Sequence, residues 1–177
     1  MGLGNRPMIA VIGSGNEEYP NLSIPLGRRL AENGYSLING GGSGVMVSTA
    51  KAFSSVKKRK GLVVGVIPSN SNCFSEVERR SYMPPPGYPN SYTEIIIRTH
   101  LHLSGARGKD LASRNHIIIL SADTIIALPG GSGTQSEIEL AIEYKKPLVL
   151  LSPNGEWDNY HNQASIVKNV EEAVEKI

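Results

Sequence analysis

Short, uninterrupted apolar runs recur along the chain, separated by stretches whose apolar positions repeat at helical spacing. Met8-Ile9-Ala10-Val11-Ile12 ends at Gly13, as a strand buried on both faces does. Ile24, Leu26, Leu30 and Ala31 mark one face of a helix that Asn33-Gly34 stops. Tyr35 to Ile38 predicts a second strand, Val45 to about Val56 a helix, and Leu62 to Ile67 a third strand closed by Pro68. Ser69 to Asn90 is polar and carries Pro84-Pro85-Pro86-Gly87-Tyr88-Pro89, the composition of a long irregular loop; such loops are usually functional or mobile. Tyr92 to Arg98 predicts a fourth strand, Arg107 to Leu120 a helix and Thr124 to Leu128 a fifth strand. A helix from Ile138 to Tyr144, a sixth strand from Pro147 to Leu151 and a closing helix from Ser165 to Ile177 complete the pattern.

Alternating strands and helices imply an α/β protein with a Rossmann-like three-layer fold: a parallel sheet, right-handed crossovers and helices on both faces. Residues 1–177 read as one nucleotide-binding domain, long enough to bury roughly 70% of its unfolded surface. Ligands of such sheets bind outside the carboxyl ends of the strands, near the reversal of strand order. Gly13-Ser14-Gly15, Gly40-Gly41-Gly42-Ser43-Gly44 and Gly130-Gly131-Ser132-Gly133 all lie at strand ends and should converge on one edge. Three such turns point to a phosphate or nucleotide.

Composition narrows the partners. A formal net charge of +2 is near neutral for this length and argues against a dedicated nucleic-acid binder. The basic run Lys57-Lys58-Arg59-Lys60 falls between a helix and a strand, where a solvated loop explains it. Cys73 is the single cysteine, which rules out an internal disulfide and fits a reducing cytoplasm. With no 18-residue apolar run, no membrane span is expected. Met1-Gly2-Leu3-Gly4-Asn5-Arg6 leads straight into a strand, so no secretory signal is expected, and Gly2 lacks the hydroxyl residue that myristoylation needs. His100 and His102 share one face of an extended segment, but no Cys or carboxylate stands at ligand spacing, so no metal is expected, nor any bound cofactor. Cys73 has no His nearby in sequence to activate it and reads as a bystander.

The richest stretch is Leu128-Pro129-Gly130-Gly131-Ser132-Gly133-Thr134-Gln135-Ser136-Glu137. Glycines between a strand and a helix bring backbone N–H groups to a ligand, and the helix N-terminus favours an anion. The spacing is neither the dinucleotide fingerprint nor the P-loop. The first turn, Gly13-Ser14-Gly15-Asn16-Glu17-Glu18, also lacks the third glycine that a dinucleotide-dependent oxidoreductase would need. Thr134 and Glu137 have the spacing of a capping box, which would leave Glu137 ionised beside the helix dipole. Cap and catalyst are not exclusive roles. Arg114 follows Asp110 by four residues, the spacing of a helical surface pair. Gly13 and Ser14 read equally as turn residues or ligand contacts; for Gly41, Gly42, Ser43 and Gly44 the four glycines in five residues favour contact.

The run from Pro129 matches P-G-G-x-G-T-x-x-E position for position and resembles the Lonely Guy (LOG) family and its relatives, the molybdenum-cofactor carrier proteins. The resemblance extends from Ile9 to about Leu151 and includes Ser113-Arg114-Asn115. It implies that Gly130, Gly131, Gly133 and Thr134, with Ser132 between them, hold a phosphate, that Asn115 touches the ligand, and that Arg114 and Glu137 serve the chemistry. The reaction implied is hydrolysis of a nucleoside 5′-monophosphate at its N-glycosidic bond, releasing a purine-type base and ribose 5-phosphate. Ser113-Arg114-Asn115 stands where LOG proteins usually have Glu-Arg-Lys, and Ser136 stands where an acidic residue is common. The Arg-Asn pair is similar to the carrier branch, which binds a pterin phosphate without turning it over; Pro129 is LOG-like. A carrier or sensor of a phosphorylated heterocycle is therefore the alternative. The resemblance also implies a homodimer or larger homo-oligomer. Leu111, Ile118 and Ile119 could supply its interface, although such a stripe more often faces the sheet.

Overall fold

The computed structural model describes residues 6–177. The readings placed on Gly2 and the segment 1–5 lie outside them. Seven strands form one sheet in the order β4-β3-β2-β1-β5-β6-β7. They are β1 (Met8–Ile12), β2 (Ser36–Asn39), β3 (Val63–Ile67), β4 (Ile95–Arg98), β5 (Thr124–Ala127), β6 (Leu148–Leu151) and β7 (Ser165–Val167). Every neighbouring pair is parallel. The helices are α1 (Pro20–Glu32), α2 (Val45–Ser54), α3 (Glu76–Arg80), α4 (Asn115–Ser121), α5 (Ser132–Glu143) and α6 (Val170–Glu175).

Strand alternation builds two cores. Ile9 and Val11 join Leu26, Leu30, Phe53 and Ala173 on the face covered by α1, α2 and α6. Ala10 and Ile12 face the other way, toward Ile118, Ile119, Ile138 and Ala141 of α4 and α5. Three layers result, the Rossmann-like α/β arrangement expected. Strand order reverses at β1, with β2 on one side and β5 on the other. The β1–β5 register pairs Ile12 with Ala127, so the chain leaves both strands side by side. That crevice is where such folds bind ligands.

Four elements differ from the pattern reading. The helix expected from Ile138 begins at Ser132, directly after the glycine turn. The helix expected over Arg107–Leu120 is α4 alone, preceded by a single 3-10 turn, Gly105–Arg107. Gly105 adopts φ +61, and Ser113 Oγ accepts the Asn115 N–H at 3.2 Å, so the chain stays irregular up to Arg114. The closing helix splits into β7 and α6, because Asn169 Oδ1 accepts the Glu172 N–H at 2.9 Å and starts the helix afresh. The Ser69–Asn90 loop holds one helical turn, α3, begun by a Ser75–Glu78 capping box. Ile118 and Ile119 are fully buried against the sheet, which removes them from any interface, while Leu111 is 90% exposed.

Candidate functional site

The turn after β5 and the start of α5 form the floor of a cleft of 430 Å³ at the carboxyl edge of the sheet. The helix begins at Ser132 with Gly131 as its N-cap, and no side chain caps it. Thr134 thus sits at the third helical position, buried, and Glu137 at the sixth; the capping box read from the sequence does not form. With no side-chain acceptor at this end, the first N–H groups of α5 are available to an anion. Pro129 O accepts the Ser14 N–H at 3.1 Å, which ties this turn to the one after β1. Ser14 Oγ in turn accepts the N–H groups of Asn16 and Glu17 at 3.2 and 2.9 Å.

Gly13, Ser14, Gly131, Ser132, Gly133 and Thr134 all line the cleft, together with Asn115, Arg114 and Glu137. Gly130, Gly41, Gly42, Ser43 and Gly44 do not. Their glycines serve packing instead. A Cβ at Gly130 would press on the Thr134 side chain and lie 2.9 Å from the Ser14 nitrogen. Gly44 has φ +61 and abuts the Ser14–Gly15 backbone, while Ser43 Oγ donates to Gly15 O at 2.6 Å. The Gly40–Gly44 turn therefore holds the β1 turn in place, and only Gly40 reaches the cleft.

Arg114 is 5% exposed and enters the cleft from the residue just before α4. Its guanidinium donates to Gly40 O at 3.3 Å and lies 5.4 Å from the centre of the Tyr88 ring. Its Nε is buried without a hydrogen-bond partner. The surface pair with Asp110 does not exist: Asp110 is taken by Arg107, at 2.8 Å. A buried cation with one long hydrogen bond has donors left for a ligand.

Glu137 is half-buried and lines the same cleft. Burial pushes its carboxyl up to about 7, a rise that the nearby Arg114 charge opposes. The sequence reading had it ionised by the helix dipole, but at the sixth position it lies beyond the first turn where that effect acts. Among the described residues no ion pair within 4.0 Å joins it to Arg114. The carboxyl can therefore exchange a proton near neutrality.

Tyr88, Met46, Asn16, Ser104 and Gly105 also line the cleft and were not singled out from the sequence. Tyr88 had a visible signal in its place in the Pro-rich run, and Asn16 in following the Gly13-Ser14-Gly15 turn. Among the described residues, no three His, Cys, Asp or Glu side chains are grouped to hold a metal ion, and no helix is long and apolar enough to cross a membrane.

A Cβ at Gly131 would meet nothing within 4 Å, and the residue's φ of −100 suits any side chain. Gly131→Val should therefore fold normally while projecting into the cleft. Phosphate-ester affinity, measured by calorimetry, is expected to fall at least tenfold, about 1.4 kcal/mol. Unchanged affinity in the folded variant would move the ligand away from this turn.

Comparison with known proteins places the chain. The SLOG cluster4 family matches over residues 6–176. A protein of Archaeoglobus fulgidus, described only as uncharacterized, is 33% identical over 147 residues, covering 82% of this chain and 80% of that protein. The cytokinin riboside 5′-monophosphate phosphoribohydrolase LOG of Oryza sativa subsp. japonica is 30% identical over 149 residues, or 80% of this chain. That alignment spans only 52% of the rice protein. Among solved structures, the molybdenum cofactor binding protein of the phototrophic bacterium Rippkaea orientalis is similar with a TM-score of 0.72 and 28% identity, over 97% of this chain and 95% of that one. A parallel sheet with a P-G-G-x-G-T-x-x-E turn at its switch point, matched nearly end to end, is LOG-like, and the chain belongs to the SLOG cluster4 family.

Proposed function

We propose that this protein is a nucleoside 5′-monophosphate phosphoribohydrolase, cleaving the N-glycosidic bond to release a purine-type base and ribose 5-phosphate. The observation that carries this reading is the cleft's pairing of groups: an uncapped helix N-terminus, a buried arginine with an unpartnered Nε, and a carboxyl titrating near neutrality. The volume of 430 Å³ falls within the range of about 300–1,000 Å³ usual for small-molecule sites. The phosphate would sit against the N–H groups of Ser132, Gly133 and Thr134, beside Gly13 and Ser14. Gly130, Gly41, Gly42, Ser43 and Gly44 would act from behind, by shaping those turns.

Cleaving a ribosyl C–N bond sends the bonding pair to the base nitrogen and leaves oxocarbenium character on the sugar. Ionised Glu137 would face that charge and accept the proton of the attacking water, whose oxygen forms the new bond to C1′. The departing base takes up a proton from solvent. Arg114 would clamp phosphate or ribose oxygens, and Asn115 beside it would contact the ligand.

A second reading, a non-catalytic carrier or sensor of a phosphorylated heterocycle, is favoured by the Arg114-Asn115 pair and by the likeness to the Rippkaea orientalis protein. Incubation with a panel of nucleoside monophosphates separates the two. Free base with an equal amount of ribose 5-phosphate supports the hydrolase; tight binding without release supports the carrier. A cytoplasmic setting, with Cys73 reduced, suits either role.

The partner we infer beyond the small molecule is a second copy of this chain. Edge strand β4 exposes Ile95, Ile96 and Ile97, although parallel strands are normally covered on both faces. Two β4 strands meeting antiparallel about a two-fold axis would set Glu94 of one copy beside Arg98 of the other. Sedimentation should find a dimer at micromolar concentration and a monomer for Ile96→Lys. A wild-type protein that sediments as a clean monomer would remove the idea.

A further inference from the structure

The phosphate turn, Arg114 and Glu137 all come from the second half of the chain, yet Tyr88, the only aromatic side chain lining the cleft among the described residues, comes from the Pro-rich segment. Its placement is built. Asn90 buttons the segment onto the β2–α2 turn: its N–H donates to Gly41 O at 2.7 Å and its Nδ2 to Gly42 O at 2.9 Å. Gly42 leaves the seat the ring occupies, since a Cβ there would lie 2.6–2.7 Å from the phenol. Gly40 makes the matching space for the Arg114 guanidinium, on which the ring packs. Part of the glycine richness of residues 40–44 is thus explained by two side chains that arrive from far along the chain. The tyrosine is half-buried, with the rest of its ring facing the cleft.

We propose that Tyr88 is a specificity-determining residue: its ring is the surface against which the planar heterocyclic base of the ligand packs, so that the cleft selects phosphate esters bearing a base over bare sugar phosphates. This rests on the nucleotide reading above and assigns the base end of the same site. A phosphate held at the α5 N-terminus is recognised alike in a nucleotide and in ribose 5-phosphate; the nucleotide adds a planar base that a flat, polarisable surface can select, and among the described lining residues the ring is the one aromatic face. The bare alternative is that Tyr88 merely steadies Arg114, which would affect both ligands equally.

Calorimetric binding of AMP, GMP, CMP and UMP, alongside ribose 5-phosphate, to the full chain decides between these. For Tyr88→Leu, affinity for the tightest nucleotide should fall at least tenfold, while ribose 5-phosphate stays within twofold; Tyr88→Phe should retain the nucleotide affinity. Gly42→Ala, whose methyl group takes the ring's seat without deleting the ring, should reproduce the selective loss and guards against a misfolded Tyr88 variant. Equal losses for both ligands, or no loss for either, overturn the proposal and leave the nucleotide reading standing. A wild-type protein that binds ribose 5-phosphate as tightly as every nucleotide also overturns it. Wild type that holds none of these ligands sinks the nucleotide reading itself, and this proposal with it.

Discussion

Glu137→Gln is expected to lower turnover at least about 100-fold, roughly 2.7 kcal/mol of transition-state stabilisation, while making the protein more stable at pH 8. The two effects share one cause. Burial raises this carboxyl to about 7 from the ordinary 4.5, so the folded state holds a proton that the unfolded chain has released. Between those values the native protein binds more protons than the unfolded one, and stability falls as pH rises. The cost of the buried charge is absent below about 4.5, grows up to about 7, and stays constant above, on the order of 3 kcal/mol. Gln is neutral throughout and avoids it. The melting-temperature advantage of the variant should therefore be present at pH 8 and vanish near pH 4. Wild-type turnover should rise through pH 7 as the carboxylate forms. No gain in stability at pH 8, together with full activity, would mean that Glu137 neither carries charge in the cleft nor serves the reaction.

The fold was legible where its determinants are local. Four strands, β1, β3, β5 and β6, announce themselves as apolar runs because both of their faces are covered, and Asn33-Gly34 stops α1 within a residue of its end. β7 was not legible, because three residues carry no period of their own; Ser165–Val167 is a strand by virtue of pairing with β6, a long-range fact. The Lys168-Asn169 step before Glu172 was a readable cap, masked by the helical spacing of the residues after it. The Arg107–Leu120 reading failed for the opposite reason. Leu111 and Ile118 fall at helical spacing, but Gly105, at φ +61, lets the chain turn, and Leu111 ends in solvent.

For the site, chemistry was more legible than geometry. The glycine turn, Arg114 and Glu137 come to one cleft, as residue type and resemblance implied. Their environments could not be read. Thr134 and Glu137 at capping-box spacing pointed to an ionised carboxylate at the helix start, yet the helix is capped three residues earlier, at Gly131, which places Glu137 at its sixth position and in the cleft. That start depends on Gly131 and on the Ser14–Pro129 hydrogen bond, which join segments over 100 residues apart. The same holds for Gly40 and Gly42. Their lack of side chains looked like room for a ligand, and is largely room for Arg114 and Tyr88.

Arg114→Ala is the second large effect, expected to cost at least about 100-fold in kcat/KM with a melting temperature within a few degrees of wild type. A core arginine held by a full set of hydrogen bonds would be strongly destabilising to remove. This one has a single donor contact, at 3.3 Å, and a buried Nε with no partner, so the folded chain gains little from it until a ligand supplies the missing acceptors. The substitution should also move the pH profile. Arg114 is what holds the Glu137 carboxyl down against burial, so its loss should carry the midpoint of any residual activity above 7. Arg114→Lys keeps the charge without the planar fork; its midpoint should stay near wild type while kcat/KM falls by an intermediate amount. A midpoint that moves equally in both variants would break the electrostatic link between the two residues. Unchanged kcat/KM in Arg114→Ala would remove the arginine from the chemistry altogether. A protein that never turns over, but loses phosphate-ester affinity in this variant and in Glu137→Gln, would be the carrier.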